Sequence, residues 1–174
     1  SNSDEMIVIF GGFSYDKWNG LMINGQHGLG GSETVITNLG INLAKTNKII
    51  IFCDTSFDTY DPKTNILYLR ICHYELFLKT NKIKTLILFR FVDWIRYYDT
   101  IEKVILVLED VVPVGSSLQI HPKLKNIVCK TEWHKQYFLE SCPQIKHSNI
   151  NINVIGNGID TTRFELNTIK QEFR

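Results

Sequence analysis

The stretch SETVITNLGINLAKTNKIIIF, residues 32–52, sets a helical pattern directly before an apolar run. Val35, Leu39 and Leu43 recur at helical spacing and therefore share one face of a helix. Residues 49–52 are continuously apolar, as in strands of a parallel sheet that are buried on both faces. The stretch predicts a helix followed by a parallel strand.

Short apolar runs of the same kind continue on both sides of this stretch. They cover residues 6–10, 66–71, 86–89, 104–108, 127–129 and 150–155. The last run alternates apolar residues with asparagine, which predicts an edge strand or a strand with a wetter face. Helical patterns lie between several runs: a clear one over 131–141, where Trp133 is expected in the core, and weaker ones over 73–78 and 91–98.

Strands that alternate with helices indicate the fold class. We predict one α/β domain over residues 1–174, a Rossmann-like, doubly wound, mainly parallel sheet of about seven strands with helices on both faces. In such sheets ligands bind beyond the carboxyl ends of the strands, near the point where the strand order reverses. Candidate site residues should therefore be sought directly after the apolar runs.

The bulk composition excludes several classes of partner. The 174 residues carry a net charge of +1 and form no basic stripe, so nucleic acid is not an expected partner. No apolar run approaches the ~20 residues of a membrane-spanning helix. Cys53, Cys72 and Cys129 follow or end apolar runs, which predicts buried, reduced thiols and a cytoplasmic location.

A glycine-rich loop, GLGGSE over residues 28–33, opens the predicted helix. Glycines let a ligand approach the backbone, and the helix start offers free N–H groups to a phosphate. Ser32 is the predicted N-cap, and the charge of Glu33 suits the first turn. A flexible turn before a capped helix explains the same residues without a ligand, and His27 beside the loop is expected to be solvated.

The loop also invites comparison with a dinucleotide-binding fingerprint. Gly28 and Gly30 match its first two glycines, and Asp54 ends the second predicted strand, where a ribose-binding acid would lie. However, Glu33 occupies the position of the third glycine, and residues 11–27 separate the first strand from the loop. An NAD-dependent dehydrogenase or a nucleotide-sugar epimerase therefore stays open as an alternative.

Charged residues follow two of the predicted strands. Glu109 and Asp110 come after the run 104–108 and are the candidate catalytic residues, because carboxylates can accept a proton or hydrogen-bond a hydroxyl. A solvated loop is the competing explanation. Arg90 follows the run 86–89, where it could meet a phosphate or pair with Asp93 or Asp110.

Polar residues after the last two predicted strands complete the candidate cleft. Thr131 precedes the helical pattern 131–141 and is a predicted N-cap with a possible second role in the cleft. Asn157 and Gly158 are expected to make the turn that leads out of the sheet. Neither Ser-His-Asp spacing nor a cluster of metal ligands is found, so no metal is expected.

Three segments, in order, resemble glycosyltransferase family 4. Gly30-Gly31-Ser32-Glu33 before an amphipathic helix is similar to the family's Gly-Gly-(Ala/Ser)-Glu. The segment VCKTEWHK, residues 128–135, resembles a family strand that ends in Ser or Thr before a helix that often begins Glu-Trp-His. The segment VIGNGID, residues 154–160, with Phe164 beyond it, resembles the family's Val-Ile-Pro-Asn-Gly-Ile-Asp signature.

The resemblance implies the N-terminal, acceptor-side half of a two-domain GT-B enzyme. It implies retaining transfer of a hexose from a nucleotide-diphosphate sugar to a glycan, lipid or protein-linked acceptor, without a metal or other cofactor. The loop from Gly30 to Glu33 would border the donor phosphates. The family's donor half, with its Glu-x7-Glu motif, is expected to be absent from this chain, so the isolated domain is expected to be inactive.

Two positions depart from the family pattern. Gly156 replaces the usual Pro, and Glu109-Asp110 stands where the family often has His-Asp. A glutamate cannot offer the neutral N–H donor that a histidine offers at pH 7. A non-catalytic carbohydrate-binding module that kept the fold is therefore a further alternative.

Overall fold

A computed structural model describes residues 5–24, 28–110 and 118–158. The strands are β1 (Met6–Gly12), β2 (Lys48–Cys53), β3 (Thr59–Asp61), β4 (Ile66–Arg70), β5 (Ile83–Phe89), β6 (Ile101–Val107), β7 (Leu124–Cys129) and β8 (Asn151–Val154). The helices are α1 (Gly31–Leu43), α2 (Tyr74–Thr80) and α3 (Glu132–Ser141), and short 3-10 turns lie between them.

The described strands form one eight-stranded sheet in the order β3-β4-β2-β1-β5-β6-β7-β8. All neighbouring strands are parallel except β3 and β4, which are antiparallel. The chain builds outward from β1 through β2 and β4 and then returns to the other side of β1. The strand order therefore reverses between β1 and β5, which is the position where open α/β sheets bind ligands.

The fold prediction is confirmed in its main features. The protein is α/β with a mainly parallel, Rossmann-like sheet, and each apolar run picked out from the sequence forms a strand. The predicted strand number was too small, because β3 was missed. It has only 3 residues and one buried position, so it carries no period that a sequence pattern can reveal.

Helices pack on both faces of the sheet, as predicted. On one face Ile36 of α1 joins a core with the β2 and β4 side chains Ile51 and Ile66. On the other face Leu78 of α2 and Phe138 of α3 join a second core. Continuous strand hydrophobicity follows from this arrangement, because alternate residues of each central strand enter different cores.

The predicted helix ends are partly correct. Thr131 caps α3 as predicted, since its Oγ1 accepts a hydrogen bond of 3.0 Å from the amide of His134. The prediction that Ser32 caps α1 is wrong, because the helix begins at Gly31 and Gly30 is the N-cap. The weak pattern over 73–78 corresponds to α2, whereas that over 91–98 yields only the 3-10 turn Val92–Trp94.

The expectation that Trp133 lies in the core is also wrong. The buried residues of α3 are His134 and Phe138, and Trp133 is 61% exposed. Its ring stacks on Tyr137 with the centroids 5.6 Å apart. The aromatic residues of this helix therefore lie on two adjacent stripes, of which only one faces the sheet.

The cysteine predictions are confirmed at two positions and wrong at one. Cys53 and Cys129 are buried, but Cys72 is exposed because it lies in the 3-10 turn Ile71–His73 beyond β4. Cys142 is buried in addition, and no disulfide joins the cysteines. Among the described helices, none has the length and apolar character needed to cross a membrane.

Candidate functional site at the carboxyl edge of the sheet

Arg90 directly follows β5, beside the point where the strand order reverses. Its backbone has a φ of 63°, which is unusual for a residue with a side chain. The turn is fixed to the next strand, since the Arg90 amide donates a hydrogen bond of 3.0 Å to the carbonyl of Val107. Left-handed backbone costs an L-residue roughly 1–2 kcal/mol, and such residues cluster at functional sites.

The Arg90 side chain joins two other predicted site residues. Its Nη2 donates a hydrogen bond to Oγ of Ser32 in the first turn of α1. Its Nε lies 3.8 Å from Oδ2 of Asp110, so the pairing with Asp110 that the sequence suggested is present. The Nε atom is buried and has no hydrogen-bond partner within the described residues. The start of α1 and the ends of β5 and β6 are thus linked by one guanidinium.

Glu109 meets a partner that the sequence analysis did not single out. Its Oε1 lies 2.7 Å from Nζ of Lys130, and the two side chains are 8% and 18% exposed. The contact is an ion pair without an aligned hydrogen bond. Lys130 is the first residue after β7, and Glu109 is the second residue after β6. Residues that follow adjacent parallel strands meet at one edge of a sheet. The position of Lys130 directly after an apolar run was therefore the signal in the sequence that it belongs to this edge.

The start of α3 holds Lys130 in place. The amide of Lys130 donates to Nδ1 of His134 at 3.3 Å, while Thr131 caps the helix. Because Nδ1 accepts this bond, a neutral His134 carries its proton on Nε2, which is buried and has no partner within the described residues. Local helix-capping geometry therefore sets the position of the cation that meets Glu109.

A cavity of about 470 Å³ lies beside the glycine loop. Its walls are the segment 14–18, which follows β1, and the loop residues 28–30, together with Met22 and Glu33. Its volume falls within the range of roughly 300–1,000 Å³ that is usual for small-molecule sites. The predicted phosphate loop thus borders a real concavity.

Gly30 and Glu33 are fitted to each other at the mouth of α1. A Cβ at Gly30 would overlap Oε2 of Glu33, which folds back over the loop. Among the described residues, none places an atom within 4 Å of a Cβ built at Gly28 or Gly31. The Glu33 carboxylate therefore lies on the cavity wall, and the rest of the loop is open to an approaching ligand.

Asp54, the candidate ribose-binding acid of the dinucleotide alternative, already has partners. Its Oδ1 forms an ion pair with Nζ of Lys17, and its Oδ2 accepts from the amide of Ser14 at 3.5 Å. Both partners belong to the cavity wall. The carboxylate that would meet ribose hydroxyls in a dehydrogenase thus holds the segment after β1 in place.

Asn157 and Gly158 lie after β8 and are exposed. The pairing of β8 extends one residue further, since the Ile155 amide donates to the carbonyl of Cys129 at 2.9 Å. Among the hydrogen bonds and ion pairs between described residues, none joins Asn157 or Gly158 to Arg90, Glu109 or Lys130. His27, Ile159, Asp160 and Phe164 lie outside the described residues.

Comparison with known proteins gives no match for this chain. No family model, no curated protein and no solved structure matches it. In the described ranges, no group of three or more His, Cys, Asp and Glu side chains is arranged to hold a metal ion. Function must therefore be inferred from the carboxyl-edge residues and the cavity beside them.

Proposed function

We propose that this chain is the acceptor-side domain of a retaining GT-B glycosyltransferase. The enzyme would move a hexose from a nucleotide-diphosphate sugar to a glycan, lipid or protein-linked acceptor. One observation carries the proposal: the Arg90 guanidinium contacts the first turn of α1, directly after the glycine loop, at the reversal of strand order. The three ordered segments that resemble family 4 support the same function.

The glycine loop and Arg90 suit a leaving diphosphate. The first turn of α1 offers backbone N–H groups that have no partner within a helix, and its dipole favours an anion. Arg90 adds a guanidinium whose Nε forms no hydrogen bond with the described residues, although it lies near Asp110. Negative charge grows on the diphosphate as the sugar leaves, and fixed donors stabilise it there without reorganisation.

The acids after β6 suit the acceptor side of the reaction. Glu109 and Asp110 can accept a hydrogen bond or a proton from the attacking hydroxyl. Lys130 and Arg90 neutralise part of their charge and restrict their orientation. Thr131, Asn157 and Gly158 are proposed to complete the cleft around them.

A donor-binding half would supply the contacts to the nucleotide. Closing of the two halves would exclude water and suppress hydrolysis of the donor. We place the enzyme in the cytoplasm, because its cysteines are not joined in disulfides. Asp54 is already paired with Lys17, so it is not free to bind ribose, and this favours a transferase over a dehydrogenase. The alternative of a carbohydrate-binding module differs from the proposal only in that it transfers no sugar.

Removing the Arg90 side chain tests the proposal. The variant Arg90→Gly suits the φ of 63° at this position, because glycine adopts positive φ without strain. We expect kcat/KM for sugar transfer by the full natural polypeptide to fall roughly 10²- to 10³-fold, as for removal of one donor to a developing anion. The readout is nucleoside diphosphate released from UDP-glucose, GDP-mannose and related donors.

Two controls accompany this variant. Lys82→Gly removes an exposed cation before the amino end of β5 and should leave transfer unchanged. Arg90→Lys keeps the charge without the planar fork, and it should fall between the wild type and Arg90→Gly. Wild-type turnover in Arg90→Gly would reject the assigned role of the guanidinium.

A further inference from the structure

The cavity beside the glycine loop carries an excess of negative charge. Asp16 and Glu33 line it, and the cation Lys17 on the same wall is already paired with Asp54. Among the described residues, three carboxylates against one ammonium leave two uncompensated negative charges. Arg90, which contacts Ser32 and Asp110, does not line this cavity. These negative charges would repel a phosphate or carboxylate that entered, so the cavity disfavours anionic ligands.

The orientation of Glu33 strengthens this polarity. Its carboxylate folds back over Gly30 and so lies on the cavity side of the loop. Carboxylate oxygens only accept hydrogen bonds when ionised, so they pair with hydroxyl or ammonium groups. The anion-binding Arg90 and the acid-lined cavity therefore occupy separate positions around the same glycine loop.

Trp18 provides an independent indication of a polar ligand. It lines the cavity, is only 3% exposed, and its Nε1–H has no hydrogen-bond partner among the described residues. Its backbone is held, since its amide donates to the carbonyl of Asp54 at 2.9 Å. A buried donor without an acceptor is costly, and a shift of the wall side chains that opens Nε1–H to the cavity would let a ligand hydroxyl or a water supply the acceptor.

The remaining walls fit a sugar ring. Tyr15 lines the cavity with a fully exposed side chain, so its ring is free to pack on a ligand. The C–H face of a sugar is apolar and packs on an aromatic ring, while its hydroxyls reach the polar groups around it.

We propose that this cavity binds the acceptor and selects a polyhydroxylated sugar that carries no phosphate or carboxylate. The inference rests on the proposed function and names the substrate class of its acceptor site. Asp16 and Glu33 accept hydrogen bonds from the sugar hydroxyls, Trp18 donates one, and Tyr15 packs on the ring. An amino sugar is bound at least as well as a neutral one, because its ammonium meets the same carboxylates.

A set of glycans whose terminal sugars differ in charge tests this selectivity. The full natural polypeptide is applied to an array of glycans that end in neutral, amine-bearing, carboxylated or phosphorylated sugars. The best neutral glycan and its carboxylated and phosphorylated counterparts are then titrated by calorimetry. We expect binding to neutral and amine-bearing termini, with Kd values for the anionic counterparts at least about tenfold higher.

Variants of the cavity wall should change the Kd ratio between anionic and neutral glycans in opposite directions. Glu33→Gln and Asp16→Asn remove one negative charge each, so both should narrow the Kd ratio between anionic and neutral glycans. Lys17→Met leaves Asp54 uncompensated and should widen that ratio. Trp18→Phe removes the indole donor and should weaken the binding of the neutral glycan.

Several outcomes would overturn the proposal: no glycan bound, anionic glycans bound as tightly as neutral ones, or ratios that the wall variants do not change. The proposed function fails separately. Transfer to an anionic acceptor would remove this inference and leave the transferase intact. Selective binding of neutral glycans without turnover of any nucleotide sugar would leave the selectivity intact and remove the transferase.

Discussion

At the scale of one residue, Gly12 shows how β1 and β5, the strands between which the strand order reverses, pack at their carboxyl ends. It ends β1 with a φ of 75°, and the ring of Phe91 lies where a side chain would be. Phe91 follows Arg90 in the turn after β5, and Phe13 packs edge-on against the same ring. The end of β1 thus supports the segment that carries Arg90.

The substitution Gly12→Ala should destabilise the fold strongly. An L-residue at this φ costs roughly 1–2 kcal/mol, and overlap with the Phe91 ring adds roughly 1–3 kcal/mol. We expect the free energy of unfolding, measured by urea denaturation, to fall by about 2–5 kcal/mol. Gly28→Ala is the matched control, since open space surrounds that position and the change should stay within about 0.5 kcal/mol. Equal effects of the two substitutions would contradict this account.

Ser32 and Thr131 explain why one cap could be read from the sequence and the other could not. Both are residues that favour N-caps and stand before a helical pattern. Thr131 has that role, but α1 begins one residue before Ser32, whose hydroxyl accepts from Arg90 instead. The Ser32 hydroxyl thus has a long-range partner in the turn after β5, and no local pattern records such a partner.

At the scale of elements, α3 depends on its cap for the position of Lys130. Thr131→Ala should lower the free energy of unfolding by about 1 kcal/mol, the usual cost of losing an N-cap side chain. Thr131→Ser keeps the hydroxyl and should retain most of that free energy. Chemical denaturation followed by circular dichroism measures both variants. Equal stability of Thr131→Ala and the wild type would argue against the cap.

The same helix shows that periodicity alone does not predict which face of a helix is buried. His134 and Phe138 form its buried stripe, while Trp133 and Tyr137 form the adjacent stripe. Residues four apart share a stripe in both cases, so spacing alone could not tell which one faces the sheet. The strands were easier to predict, because burial on both faces makes their sequences continuously apolar.

At the scale of the whole molecule, the sheet order decides which predicted residues meet. Arg90, Asp110 and Lys130 follow β5, β6 and β7, which are neighbours in the sheet. The rule that ligands bind at the carboxyl edge directed attention to Arg90 and Asp110. The pairing of Glu109 with Lys130 was missed although both residues follow apolar runs, because their contact also depends on the adjacency and the register of β6 and β7.

Burial across the fold also makes the thiols unequal. Cys72 is the exposed cysteine, whereas Cys53, Cys129 and Cys142 are buried. Burial raises the pKa of Cys53 to about 12 and that of Cys129 to about 11. We expect a thiol reagent near pH 8 to label Cys72 rapidly in the native protein and the buried three only after unfolding, as read by peptide mass spectrometry. Rapid native labelling of Cys53 would contradict the fold.

The raised pKa of Cys53 also makes stability depend on pH. Burial is the main cause, and the charges of Asp54 and Asp58 add to it. The folded pKa exceeds the ordinary value of 9.0, so the stability linked to this thiol is complete below 9.0 and is lost as pH rises toward about 12. Unfolding free energies at successive alkaline pH values should therefore fall less steeply in Cys53→Ala than in the wild type. Identical slopes would contradict this linkage.

The central claim, that this chain belongs to an enzyme transferring a hexose, is tested most directly by the product. The full natural polypeptide is incubated with a panel of nucleotide-diphosphate sugars and with neutral and amino-sugar glycans, and the glycans are weighed by mass spectrometry. We expect a mass gain of one hexose on a glycan, with an equal amount of nucleoside diphosphate released. Intact nucleotide sugars and unchanged glycans across the whole panel would contradict it.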